Sequence, residues 1–141
     1  KHPMDTLLAS LAGLGNFALY FFSAIALLFI FKIIYALVTP HDEWHLIKEQ
    51  QSSAAAIAFG GALIGFAIAL SGAATNAVSF GDFIIWAVVA LLAQCLAFLL
   101  LRFTFMPKIA ERIENNEVSA GIMLAAVSLA VGLLNAACMT Y

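Results

Sequence analysis

Four stretches of mainly apolar residues, at 17–38, 53–74, 83–105 and 118–139, take up most of the 141-residue sequence. Roughly 20 residues of α-helix cross a hydrocarbon core about 30 Å thick, so each stretch is long enough to span a bilayer. Inside lipid a spanning segment has to satisfy its own backbone N–H and C=O groups, and a helix does so within one segment. The expected fold class is therefore an all-α membrane protein with four transmembrane helices, residues 1–141 forming a single membrane domain.

The composition agrees. Hydrophobic residues make up 65% and charged residues 10%, against about half and a quarter in a soluble domain. Six Lys/Arg and eight Asp/Glu cannot cover a soluble surface of this size, so the remaining surface is expected to face membrane lipids. The net charge is -2 and the basic residues are scattered. That pattern excludes a nucleic-acid footprint. Cys95 and Cys138 sit in apolar runs with no CxxC spacing and read as small packing residues. The opening KHPMDTLLASLAGLGNF begins like a signal peptide, but the long apolar run behind it argues for retention in the membrane. Met4 is a candidate natural start.

The spans are separated by Thr39-Pro40, by residues 71–82 and by Met106-Pro107; proline cannot continue a helix without losing a hydrogen bond. Lys32, Lys48, Arg102, Lys108 and Arg112 cluster at the first and third connections, and the second has no Lys or Arg. Cytoplasmic flanks are enriched in these residues. The expected topology puts those two connections in the cytoplasm and both termini on the opposite side, the periplasm in a Gram-negative cell, with Lys1 alone opposing. Tyr20 and Trp86 fall near the outer helix ends, and Tyr35, Trp44, Phe103 and Phe105 near the inner ends, as interfacial aromatic belts would. Leu7, Leu8, Leu11 and Leu14 recur at helical spacing, which predicts a short interfacial helix over 4–14.

Sliding the chain on itself by 67 residues superposes Pro40 on Pro107, Leu46 on Ile113, Ser52 on Ser119 and Gly65 on Gly132. The chain reads as two tandem helical hairpins, about 17–74 and 83–140. Two spans per copy make it a parallel repeat about an axis along the membrane normal. In this register Gly61, Gly65 and Ala69 match Ser128, Gly132 and Ala136, and Ala54 and Ala58 match Gly121 and Ala125. Small residues four apart let helix backbones approach closely in lipid. The second and fourth spans are thus the expected central pair, with the first and third outside.

Gln94 falls at the middle of the third span, Ser128 and Asn135 lie within the fourth, and interhelical hydrogen bonding is their ordinary role. No span contains Asp or Glu, which argues against an ion-coupled pump. Lys32 and Arg102 lie near the cytoplasmic helix ends, where long side chains snorkel to the interface. Together with Trp44 they are the candidate contacts for lipid headgroups.

The segment TPHDEWH, 39–45, places His41 and His45 four apart on one helix face, the spacing of two metal ligands. A zinc-protease helix needs Glu directly after the first His and a third protein ligand; here Asp42 takes that place, and the remaining histidine, His2, lies at the other end of the topology. Thr39 fits an N-cap, Pro40 the first helical position, and the carboxylates of Asp42 and Glu43 suit the dipole of a first turn. The segment, and its repeat partner 107–117, reads as a short interfacial helix with Trp44 on its apolar side, a metal site being the minor alternative.

The run TPHDEWHLIKEQQSSAAAIAFGGALIG, the later TNAVS and GDFIIWA, and the ending LLNAACMTY resemble the YjfL-type bacterial inner-membrane proteins, a family of unknown function. The resemblance covers nearly the whole chain and implies a four-span, duplicated inner-membrane protein. It implies no catalytic residue.

The expected function is that of a non-enzymatic membrane protein, without a cofactor, packing with itself as a homo-oligomer or with a membrane-protein partner as a scaffold or accessory subunit. An oligomeric channel or small-solute transporter is the alternative, motivated by Gln94, Ser128 and Asn135.

Overall fold

The computed structural model describes residues 2–39, 43–104 and 106–139, the side chains of Glu43 and Trp44 excepted. The helices are α1 (Pro3–Val38), α2 (Glu43–Lys48), α3 (Ser53–Asn76), α4 (Phe80–Thr104), α5 (Ile109–Glu114) and α6 (Val118–Cys138). α1, α3, α4 and α6 are each long and apolar enough to cross a membrane, and no strand occurs among the described residues.

α1 corrects one expectation. The 4–14 stretch is not a separate interfacial helix but the beginning of a continuous helix of 36 residues. At 1.5 Å per residue it is roughly 54 Å long, well beyond the hydrocarbon thickness. Its start is fixed by Pro3 at the first turn and by His2 Nδ1, which accepts from the Met4 N–H at 3.0 Å. Between 4 and 38 no proline interrupts it, and Gly13 and Gly15 weaken a helix without ending it. Thr39 closes it: its backbone N–H and its hydroxyl both donate to the Tyr35 carbonyl, at 2.9 and 3.0 Å. Pro40, His41 and Asp42 lie outside the described residues.

The start of α4 is a reciprocal cap. Ser79 Oγ accepts from the Asp82 N–H, and Asp82 Oδ2 accepts from the Val78 N–H, both at 3.1 Å. The pattern is close to a capping box, with Asp82 reaching one residue further back than the N-cap's own N–H. α3 is capped from far away in sequence. Ser52 Oγ accepts from the Ala55 N–H at 3.2 Å, while Asn116 Oδ1, in the turn before α6, accepts from the Ala54 N–H at 3.0 Å and from the Ser52 hydroxyl. Asn116 has φ 58°, a left-handed conformation that Asn tolerates better than most residues.

α3 and α6 are the most extensively packed pair, and they run in the same direction: Ala54 meets Gly121, Gly61 meets Ala125, Gly65 meets Gly132 and Gly72 meets Ala136. α4 packs on both of them. The third span, expected outside this pair with the first, is therefore part of the core, burying Ala87, Gln94, Phe98 and Leu101 among others. α1 is outermost and buries only Leu27, Phe31 and Tyr35. Its attachment is aromatic. The Phe31 ring stacks on Phe66 with centroids 4.6 Å apart, and Tyr35 lies among Phe31, Phe59 and Phe98. Tyr35, expected in the inner aromatic belt, is 1% exposed and belongs to the interior. Nearer the N-terminus, Tyr20 meets Phe80 and Phe83.

α2 and α5 dock on the same end of the bundle. Leu46 of α2 and Ile109 and Ile113 of α5 point into the core and are covered by protein.

Candidate functional site

The densest convergence of the candidate residues lies where α3, α4 and α6 meet. Gln94, halfway along α4, is fully buried, and its Nε2 donates to the main-chain carbonyl of Ser128 on α6 at 3.1 Å. Gly65 of α3 makes the space for this bond. A Cβ on Gly65 would fall on the Ser128 carbonyl and 2.6 Å from Gln94 Nε2. Gly132, one turn beyond Ser128, faces the Gly65 backbone. Four candidates named separately in the sequence, Gly65, Gln94, Ser128 and Gly132, are thus one three-helix junction.

The remaining small-residue candidates extend the same seam. A Cβ on Gly61 would overlap Ala125, Ala136 lies against Gly72, and Ala69 is fully buried. The rows therefore face each other within one chain. The small residues of α3 and α6 are used on each other, inside the bundle.

The junction is only partly satisfied. Gln94 Oε1 and Ser128 Oγ, and further along α6 Asn135 Nδ2, are buried without a hydrogen-bond partner among the described residues. A buried polar group left unpaired typically costs about 1–3 kcal/mol. The carboxamide of Gln94 ties α4 to α6 through one of its two ends. The bond from Gln94 Nε2 to the Ser128 carbonyl attaches α4 to α6.

The charged candidates lie apart from the junction. Lys32, half-buried on α1, lines a cleft with Ile25, Leu28, Phe29, Phe59 and Leu63. Arg102, near the end of α4, holds its guanidinium 5.7 Å from the Phe103 ring centroid. The Trp44 side chain is outside the description. His45 is exposed and shares a shallow cleft with Leu46, Gln50 and Glu114, the last from α5. Among the described residues no three His, Cys, Asp or Glu side chains converge on a metal position. His41, the other half of the proposed pair, lies outside those residues.

Sequence reasoning missed Asn116 and the Phe31–Phe66 stack. Asn116 follows Asn115 at the end of a helical run, a position where a left-handed residue is common, but its target at Ala54 is not encoded locally. A family model described as Domain of Unknown Function (DUF350) matches residues 9–139. The chain belongs to this family. Among curated DUF350-like relatives, UPF0719 inner membrane protein YjfL of Escherichia coli K12 is 44% identical over 140 residues, 99% of both chains. The protein of the same description from Escherichia coli O157:H7 matches equally. No solved structure matches the chain. This DUF350 protein is accordingly a multi-pass protein of the bacterial inner membrane, with four apolar helices available to span it.

Proposed function

We propose that the chain is a non-enzymatic packing protein of the envelope, a scaffold or accessory subunit that associates with a second copy or with another membrane protein through α1. The observation that carries this reading is the contrast between α1 and the rest. α3, α4 and α6 use their small and polar residues on one another, whereas α1 presents Leu7, Leu11, Leu14 and Phe22 more than half exposed. Gly13 and Gly15 on the same stretch have no heavy atom near the position of a Cβ, so a partner backbone has room to approach. A helix this long and this weakly held to its own bundle gains most from a partner.

The reading includes a tandem duplication. Its support is the recurrence of a long helix, a six-residue helix and a long helix in α1–α2–α3 and α4–α5–α6. Ala54 meets Gly121 and Gly65 meets Gly132, pairs that stand in the register of 67 found in the sequence. Residues 49–52 in the first copy answer to 115–117 in the second, a one-residue difference in the turn. The end carrying α2 and α5 is taken as cytoplasmic because Lys48, Lys108 and Arg112 gather there, with Lys32 and Arg102 close by.

A channel is supported less well. Of its motives Gln94, Ser128 and Asn135, the first two are fully buried among helices and Asn135 is partly buried, so a path would have to run between chains. The mass of the protein in lipid nanodiscs tests the packing reading. A dimer or larger assembly is expected, reduced toward the monomer by Leu11→Asn with Leu14→Asn. A monomer at every protein concentration, and no co-purifying membrane protein, would contradict it.

A further inference from the structure

We propose that the cleft between α1 and α3 at Lys32 binds one anionic phospholipid, the phosphate meeting the Lys32 ammonium and an acyl chain lying along the cleft. The cleft encloses about 250 Å³ and is lined by Ile25, Leu28, Phe29, Lys32, Phe59 and Leu63. Every lining side chain but one is hydrocarbon or aromatic. That one is a cation.

Its position along the helix gives the cation and the cleft their separate roles. Lys32 lies six residues before the end of α1 at Val38, about 9 Å along the axis. A lysine stem reaches from that depth to the headgroup boundary. Ile25, Leu28 and Phe29 precede Lys32 in α1, so the apolar part of the cleft extends from the cation toward the bilayer centre. A charged group at the boundary with a chain-shaped apolar trough beneath it has the polarity of a phospholipid. A free phosphate or a soluble anion would use the lysine and leave the trough empty.

The cleft is held open from both sides of the seam. The Phe31–Phe66 stack and the contact of Tyr35 with Phe59 fix the separation of α1 and α3, yet Leu28, Lys32 and Leu63 do not close the gap beside them. The groove lined by Ala93, Leu96, Leu100, Phe103 and Thr104 of α4 and Val131 of α6 lies beside Arg102 in sequence, and no cation lines it.

The test uses the full chain in micelles supplied with phosphatidylglycerol and phosphatidylcholine in equal amounts, with retained lipid counted by native mass spectrometry. Wild type should retain phosphatidylglycerol over phosphatidylcholine about fivefold, the scale of one basic residue near a membrane surface. Lys32→Gln should bring the two to parity and Lys32→Arg should restore the preference. Leu63→Trp, which fills the trough and keeps the charge, should lower retention of both lipids. Lys48→Gln should change neither, and circular dichroism should find the same helix content in every variant. Unaltered retention in Lys32→Gln or Leu63→Trp, or an equal loss in Lys48→Gln, overturns the proposal. Preference for inorganic phosphate over lipid, read as loss of retained phosphatidylglycerol when phosphate is added, overturns it as well.

Discussion

Gly65 and Gly132 meet backbone to backbone: a Cβ placed on Gly132 would stand 2.7 Å from both the Cα and the carbonyl carbon of Gly65. No side chain larger than hydrogen fits at either position while α3 and α6 keep this approach. The contact is the point from which the rest of the packing is set, since Gln94 reaches Ser128 across the same gap.

Gly65→Leu and Gly132→Leu are therefore expected to destabilise the fold by about 3 kcal/mol, the upper part of the range for overpacking. Gly60 is the control. It lies on the same helix with open space where a Cβ would go, and Gly60→Ala should stay within about 0.5 kcal/mol of wild type or exceed it. Reversible unfolding in mixed micelles measures both. Equal effects at Gly60 and Gly65 would contradict the close approach.

Gln94→Leu should cost much less than either glycine substitution. Interhelical hydrogen bonds in membranes average about 0.6 kcal/mol and reach about 1.7, and Gln94 combines its bond to the Ser128 carbonyl with an unpaired Oε1 that leucine would remove. A loss below about 1.5 kcal/mol in the same unfolding assay is the expected result. A loss above about 3 kcal/mol would mean that Gln94 is engaged in a larger polar network.

Asn116 combines two roles that substitution can separate. Asn116→Gly keeps the left-handed backbone easy but removes the cap on Ala54; Asn116→Ala removes the cap and adds backbone strain. Loss of a cap costs about 0.5–2 kcal/mol, and a left-handed non-glycine residue adds about 1–2. The stability order should be wild type, then Gly, then Ala, with increased hydrogen exchange at the Ala54 amide in both variants. Stability of Asn116→Ala equal to that of Asn116→Gly would remove the backbone part of the argument.

The four spans were legible because lipid imposes one simple demand, a long apolar run, and each run is uninterrupted. The α3–α6 seam was legible for a related reason: small residues at i and i+4 mark a helix face whichever partner it meets. Rows on the second and fourth spans made those two the expected central pair, and α3 and α6 meet along them; that α4 packs on both was not legible, because its face carries no such row. The sequence also misread α1. Leucines at 7, 8, 11 and 14 carry a helical period, but period alone does not say whether the helix ends before the next one begins. Tyr35 was placed at the interface by its distance from the helix end, whereas burial among Phe31, Phe59 and Phe98 depends on residues from three helices. The Ser79–Asp82 cap, by contrast, is written in four consecutive residues and was open to reading.

The central claim, that the tight helices look inward and α1 seeks a partner, is tested most directly by disulfide cross-linking between copies in native membranes. The background carries Cys95→Ala and Cys138→Ala, since Cys95 is buried and Cys138 exposed. Single cysteines are then placed at Leu11 of α1 and at Leu134 of α6, both more than half exposed. The account predicts a cross-linked dimer from Leu11→Cys and little or none from Leu134→Cys. Efficient dimerisation through Leu134→Cys with none through Leu11→Cys would contradict it.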